Sequence, residues 1–518
     1  MQSNLDNHIV IVGGGSAGWL TAGLIAARMA KQNNQTVNVT VIESPDVATI
    51  GVGEGTWPSM RHTLQQIGIP ETQFMLHCDA SFKQGSSFSG WVNGNSDDHY
   101  VHPFTAPPGY VELDIAAGWQ ALANSKAYAD TVSVQSQVCA AGKAPKQFKT
   151  PDYAGVTNYG YHFNADKFVG LLQKHCIEEL GVSHIVDHVD SIVPHPNKDI
   201  DAVVCKQHGQ VQGDLFIDCT GMRALLIGKH FKSPWISQRD VLFNDSAIAT
   251  QAPYASPQAG IASTTIATAQ TAGWIWDIGL SHRRGVGYVF ASDYLSDQQA
   301  EQSLVDYLSK SLNAEEIDAL SPRTLRFEPG YRQRFWEGNC VAIGMSAGFI
   351  EPLEASALAM VELSAGILCD HLDSVFEQMP IVRKRFNQRF SYRWQRVIDF
   401  IKLHYVISQR CDSDYWLNNR HPNSVPESLQ ELLALWRHQA PSRYDFIENE
   451  EVFPSASYQY VLYGMGYKTD FSALSFSDRD LCEKLFAKNT ENVSRLLQGL
   501  PSNRDWLLAK SHALAEAG

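Results

Sequence analysis

The sequence predicts an α/β protein: a core organised on a parallel sheet, followed by a largely helical C-terminal region. Three observations carry this. An apolar run, His8 to Val12, ends in Gly13-x-Gly15-x-x-Gly18 and passes at once into a helix-compatible stretch, Leu20 to Met29. Two further apolar runs, Leu215 to Asp218 and Asn339 to Ile343, each lead into a glycine, Gly221 and Gly344. From Ile381 onward apolar residues recur at helical spacing, most clearly in Phe386 to Ile407.

Taken in order, the first strand, turn and helix form a dinucleotide-binding pattern. Gly13 permits the tight turn, Gly15 lets the backbone approach a pyrophosphate, and Gly18 lets the helix pack close to the strand. Ser16 and Ala17 lie where the helix begins, and free N–H groups there face phosphates. Glu43 ends the next apolar run, Val37 to Ile42, near the spacing expected of an acid that grips a ribose hydroxyl. Thr49 to Thr56 is a second glycine-rich loop, able to lie against a flat cofactor. A helix is expected over Met60 to Ile67, and residues 105–160, rich in Pro, Gly, Ala and Ser, read as an insertion with short helices.

Asn164 is placed to cap a helix running to about Leu180. Val182 to Val204 reads as two or three strands around His195-Pro196-Asn197-Lys198. Residues 230–330 are mostly β, with strands at Thr264 to Ala269, Gly273 to Leu280 and Gly287 to Ala291, then helices over Ser296 to Leu312 and Ala314 to Leu320. After the Gly344 element a helix runs to about Leu372. The expected organisation is a core over residues 1–375 and a mainly helical, substrate-side region over 376–518 packed on it.

Composition narrows the function. A chain of 518 residues with 44% hydrophobic and 19% charged content buries a large core. The net charge of −14 and the lack of a long basic run argue against nucleic acid as a partner. Nine scattered cysteines without CxxC pairs point to free thiols in a reducing compartment, with neither a disulfide framework nor a metal site. The first strand begins within about eight residues of the start, which leaves no room for a signal peptide. No apolar stretch reaches transmembrane length. A soluble, cytoplasmic protein with no membrane partner is expected.

The three strand-to-glycine elements are spread over more than 300 residues, so the cofactor domain is assembled from separated segments. That suits FAD better than a nicotinamide. Further motifs sharpen this: Gly51-Val52-Gly53-Glu54, Phe82-Lys83, His102-Pro103-Phe104, Tyr161-His162-Phe163 and Asp218-Cys219-Thr220-Gly221-Met222-Arg223. Beyond them come Trp274-Ile275-Trp276-Asp277-Ile278, Gly344-Met345-Ser346-Ala347-Gly348-Phe349-Ile350-Glu351-Pro352-Leu353-Glu354, Arg393-Trp394, Asp399-Phe400-Ile401 and His404-Tyr405. With these the chain resembles the flavin-dependent tryptophan halogenases, within the flavoprotein monooxygenase superfamily, over roughly residues 8–470.

The resemblance implies a Rossmann-like FAD-binding core of the flavoprotein monooxygenase type, and an oxidoreductase. FADH2 would come from a separate flavin reductase, and a possible homodimer is among its implications. Cofactor contacts would come from Gly13, Gly15, Ser16, Ala17, Gly18, Glu43, Gly51, Val52, Val186, Met345 and Leu358. Reduced flavin and oxygen would convert chloride or bromide into hypohalous acid, which travels through a tunnel to Lys83. An ammonium can hydrogen-bond that acid, and a neutral amine can form a haloamine with it. Glu354 would assist and take the proton from the ring.

Backbone N–H groups of Ser356 and Ala357 would seat the halide, although many relatives read Glu-Ser-Thr-Gly where this chain has Glu354-Ala355-Ser356-Ala357. The lost glycine restricts the backbone there. Trp274 and Trp276 share one strand face and would lie by the tunnel. The usual Ile-Pro ending is Ile278-Gly279 here, which adds flexibility. His102 and Phe104 would sandwich the substrate ring: tryptophan, indole or another electron-rich aromatic. Two other readings keep the flavin: an aromatic hydroxylase, and a halogenase relative without catalytic activity.

Overall fold

Short β-branched runs flanked by glycine build the first layer. In the computed structural model, which describes residues 7–32, 37–47, 53–123 and 125–517, strands Asn7–Val12, Val37–Glu43, Leu215–Asp218 and Ser183–Val186 pair in parallel. Cys340–Ala342 extends the parallel set and Trp336–Glu337 closes its edge antiparallel. Their side chains are almost wholly buried at the centre, as expected of a sheet covered on both faces. Helix Ser16–Gln32 lies across this sheet between helices Ala165–Glu178 and Ser356–Asp370. Asn164 caps its helix, accepting from the N–H groups of Asp166 and Lys167.

The second layer is a seven-stranded sheet in the order Arg323–Arg326, Ser246–Pro253, Arg283–Phe290, Gly273–Gly279, Thr265–Gln270, Gly85–Ser89 and His99–Pro103. A third, small sheet joins Glu54–Gly55, Gly160–Phe163 and Ser81–Lys83. Gly279 is a point of correction. It is no flexible joint but a buried residue inside its strand, paired with Arg284. A Cβ there would stand 2.8 Å from the Tyr254 hydroxyl, so glycine serves close packing.

Beyond residue 376 the elements are helical. The 28-residue helix Met379–Val406 is followed by shorter ones, of which Ser455–Gly464 packs on strand His99–Pro103. Helix Phe476–Gly499 covers the short helices Ile115–Leu122, Tyr128–Val132 and Val134–Ala140 of the inserted segment. Helix Asn503–Ala517 reaches back to strand Ser81–Lys83, where Asn503 donates to the Phe82 carbonyl and Trp506 meets the Phe82 ring edge-on.

One buried cluster ties the insertion down. Glu71 accepts from Lys146 and the Tyr153 N–H on one oxygen, and from the Tyr159 and Tyr161 hydroxyls on the other. No helix among the described residues is long and apolar enough to cross a membrane.

Candidate active site

The three glycine elements meet. Gly13, at φ +114°, lies so close to the Cys219 carbonyl that a Cβ would stand 2.2 Å away. Gly344, at φ +77°, faces Ala17 with a would-be Cβ contact of 2.8 Å. Gly18 backs onto the Gly13 carbonyl, whereas no described residue lies within 4 Å above Gly15. The turn is therefore closed beneath and open at Gly15, where the first N–H groups of helix Ser16–Gln32 emerge.

Glu43 folds over Gly14, and its Oε2 is held by Gln173 at 3.1 Å and His184 at 3.0 Å. Val186 pairs in register with Glu43 and is 50% exposed, an apolar surface beside the acid. Met345 is half-buried in the turn after Gly344, and Leu358 is buried near the start of helix Ser356–Asp370. An open glycine turn, a helix N-terminus and an oriented carboxylate fit a dinucleotide such as FAD. Gly51 and Val52 lie outside the described residues.

Lys83 ends the small sheet and is 1% exposed. Its Nζ lies 5.4 Å from the Phe104 ring centre. Gly55, on a neighbouring element, leaves space beside it: a Cβ there would be 3.3 Å from Nζ and 3.5 Å from the Ala355 Cβ. Burial pulls the Lys83 pKa down to about 8, against the opposing charge of Glu354. The buried ring of His162, pushed well below its ordinary value by burial and by the Lys83 charge, bonds Thr265 through Nε2 at 2.8 Å.

Glu354 sits in a bend after Pro352, with φ +65°, and Ala355 follows at φ +53°. Left-handed backbone at two non-glycine residues costs on the order of 1–3 kcal/mol each, so surrounding contacts must enforce it. Several do. The Glu354 carbonyl accepts from Trp57 Nε1 at 2.7 Å, Oε1 meets His102 Nδ1 at 2.7 Å, and Oε2 accepts from Ser86 at 3.0 Å. His404 Nδ1 faces the Phe400 carbonyl at 2.9 Å, so that nitrogen carries the hydrogen, and its Nε2 lies 3.4 Å from Glu354 Oε1. Burial would push this carboxyl up. The charge and hydrogen bond of His102, joined by the nearby His404 ring, overcome that and hold it well below the usual carboxylate range.

The helix then starts at Ser356. The N–H groups of Ser356 and Ala357 precede any intrahelical acceptor, and Ala357 is exposed. The strain expected from losing a glycine at 357 does not arise there, because Ala357 is an ordinary helical residue; the left-handed positions are 354 and 355.

An aromatic wall surrounds the carboxylate. The His102 ring is 5.7 Å from Phe400 and 6.1 Å from Tyr460, and Phe400 stacks on Phe453 at 3.8 Å. Trp274 and Trp276 project from one strand face, their rings 6.4 Å apart and edge-on. Gly287 gives Trp276 its space, since a Cβ would lie 2.2 Å from the indole.

The structure thus gathers Lys83, Glu354, His102 and Phe104 around one region. It gives His102 a bond to Glu354 that stacking arguments did not anticipate. Ser86 and Trp57 carried no sequence signal of their own, Gly55 was visible only within the Thr49 to Thr56 glycine-rich loop, and His404 only as part of the His404-Tyr405 pair.

Comparison with known proteins agrees with this geometry. A family profile described as Tryptophan halogenase matches residues 8–476. The 7-chloro-L-tryptophan 6-halogenase KtzR of Kutzneria sp. (strain 744) is 32% identical over 96% of this chain and 98% of its own. The Tryptophan 7-halogenase RebH of Lentzea aerocolonigenes is 29% identical over 98% of this chain and 99% of its own. The solved tryptophan halogenase from Shewanella frigidimarina NCIMB 400 superposes with a TM-score of 0.95 at 48% identity, covering 98% of both chains. Taken with the glycine cradle, these relations show that the chain belongs to the flavin-dependent tryptophan halogenase family, oxidoreductases that work with FADH2 and a halide.

Proposed function

We propose that this protein halogenates an electron-rich aromatic, indole or a tryptophan-like ring, with Lys83 and Glu354 as the catalytic pair. The observation that carries the reading is a buried lysine without a direct ion-pair partner among the described residues, near a carboxylate kept ionised by two histidines. The relatives named above act on tryptophan or chlorotryptophan by their names. Gly13, Gly15, Ser16, Ala17, Gly18 and Glu43 would hold the flavin, which in its reduced form, FADH2, would supply with oxygen the oxidant that turns halide into hypohalous acid.

The Ser356 and Ala357 N–H groups offer the halide a helix N-terminus. The Lys83 ammonium donates a hydrogen bond to the oxygen of hypohalous acid. As the ring carbon bonds to halogen, the oxygen–halogen bond breaks, and the departing hydroxide takes the Lys83 proton to leave as water. Glu354 accepts the proton from the halogenated carbon, restoring aromaticity. His102 and Phe104 flank the ring, and Trp274 and Trp276 line the approach. A separate flavin reductase supplies FADH2, and a cytoplasmic homodimer is the form we propose.

The test combines the protein with a flavin reductase, NADH, and chloride or bromide against a panel of indoles, with masses as readout. Halide-dependent mono-halogenated products that vanish in Lys83→Ala are expected. An oxygenated product formed equally without halide overturns the reading in favour of a hydroxylase. FAD binding without any turnover points to an inactive relative.

A further inference from the structure

We propose that Glu351 is a positioning residue: its buried carboxylate fixes Glu354, His404 and Trp274 in one geometry. The inference rests on the catalytic reading of Glu354.

Glu351 is 1% exposed and stands three residues before Glu354. A single oxygen, Oε2, accepts from Trp274 Nε1 at 2.6 Å, the Tyr405 hydroxyl at 2.7 Å and Asn244 Nδ2 at 2.8 Å. These donors come from three parts of the fold: strand Gly273–Gly279, helix Met379–Val406 and the loop before strand Ser246–Pro253. Asn244 is itself fixed, because its Oδ1 accepts from the Tyr415 hydroxyl at 3.0 Å.

Each tie ends beside a functional group. Tyr405 follows His404, whose Nε2 is 3.4 Å from Glu354 Oε1. Trp274 carries its edge-on partner Trp276. Glu351 itself opens the segment whose end is forced to positive φ at Glu354 and Ala355. The second oxygen, Oε1, is buried without a hydrogen-bond partner among the described residues. At Glu71, which only fastens the insertion, both oxygens are occupied. The three contacts converging on one atom make Glu351 a common pivot for elements that approach the site from different sides.

A matched pair of hydroxyl deletions tests this. Tyr405→Phe removes one donor to Glu351. Tyr307→Phe removes one donor to another buried carboxylate, Asp277, on the opposite face of the same strand. With wild-type and variant holoenzymes, Tyr405→Phe is expected to lower kcat about tenfold with arene KM and FAD affinity unchanged, as small misplacements do. Tyr307→Phe leaves kcat in place. Glu351→Gln, whose amide oxygen can keep the same three donors, restores most of the activity lost in Glu351→Leu.

Ring 15N signals of His102 and His404, assigned by His102→Gln and His404→Gln, give a readout independent of turnover. They shift in Tyr405→Phe and stay in Tyr307→Phe. Unchanged ring signals and kcat in Tyr405→Phe overturn the inference, as does an equal loss in Tyr307→Phe. Should Glu351→Leu not fold, Tyr405→Phe decides. Should the wild type not halogenate, the proposed function falls while the histidine signals still judge Glu351.

Discussion

Two buried lysine–glutamate pairs lie in the same molecule and are built in opposite ways. Lys146 meets Glu71 directly at 2.6 Å, and two tyrosine hydroxyls and a backbone N–H fill the rest of that carboxylate. Among the described residues Lys83 has no such partner: Glu354 bonds His102 and Ser86 and leaves the ammonium to itself. Burial lowers the pKa of both lysines. A pair whose every valence is satisfied can only hold elements together. A pair held apart, with the carboxylate stabilised from behind by His102 and Ser86, keeps an ammonium and a carboxylate available for a third molecule. The difference separates a fastening from the proposed reaction centre more clearly than residue type does.

The contrast breaks most visibly on substitution. Lys83→Met is expected to reduce halogenation of an indole by at least about a thousandfold, the scale for removing a group that acts on the transition state. FAD binding should survive, and the melting temperature should not fall. Lys146→Met should do the reverse. Stranding a buried carboxylate costs about 3–5 kcal/mol, read by chemical denaturation. The fraction still folded should turn over within about threefold of wild type, since no reacting group has changed. A Lys146→Met protein of unaltered stability, or one inactive while fully folded, removes the distinction.

The pH dependence sharpens it. Burial holds the Lys83 pKa at about 8 in the folded protein, below its ordinary value of 10.5. Between these values the unfolded chain binds the extra proton, so stability rises with pH across this window, by roughly 3 kcal/mol in all. Lys83→Met should abolish that rise and be the more stable protein at pH 7. Rate moves the other way: with the ammonium as the working form, kcat should fall above about pH 8. A kcat that climbs through pH 8 instead assigns the work to the neutral amine and a haloamine route.

Much of this was legible beforehand, and unevenly so. The Gly13 turn, Glu43 and the strands at Leu215 and Cys340 follow from local rules, in which a glycine or an apolar period speaks for itself. Lys83 and Glu354 stood out through their motifs. Glu71, Lys146, the bonds of Glu351 (itself part of the Glu354 motif) and the His404 contact to Glu354 did not. Their partners lie between 50 and 107 residues apart or fall in a stretch without periodicity. A hydrogen bond between distant elements leaves no spacing in the chain to find. The same blindness gave Gly279 a flexibility that its tightly packed strand does not have.

The smallest expected effect lies at Gly55, where the open pair is most exposed to disturbance. A Cβ there comes within 3.3 Å of Lys83 Nζ, closer than most such contacts, so the lysine must give way by a few tenths of an ångström. In a closed pair such a push would strain an ion pair and show as lost stability. Lys83 has no ion pair to break, and its flexible stem can yield. Gly55→Ala is therefore expected to shift the melting temperature by no more than about 1 °C, roughly 1 kcal/mol for a chain of this size. It should still lower kcat about threefold by moving the ammonium relative to Glu354. Its pH–rate inflection should move below that of the wild type, because extra packing further desolvates the charge. A loss of stability with kcat unchanged shows instead that Lys83 is as firmly held as Lys146.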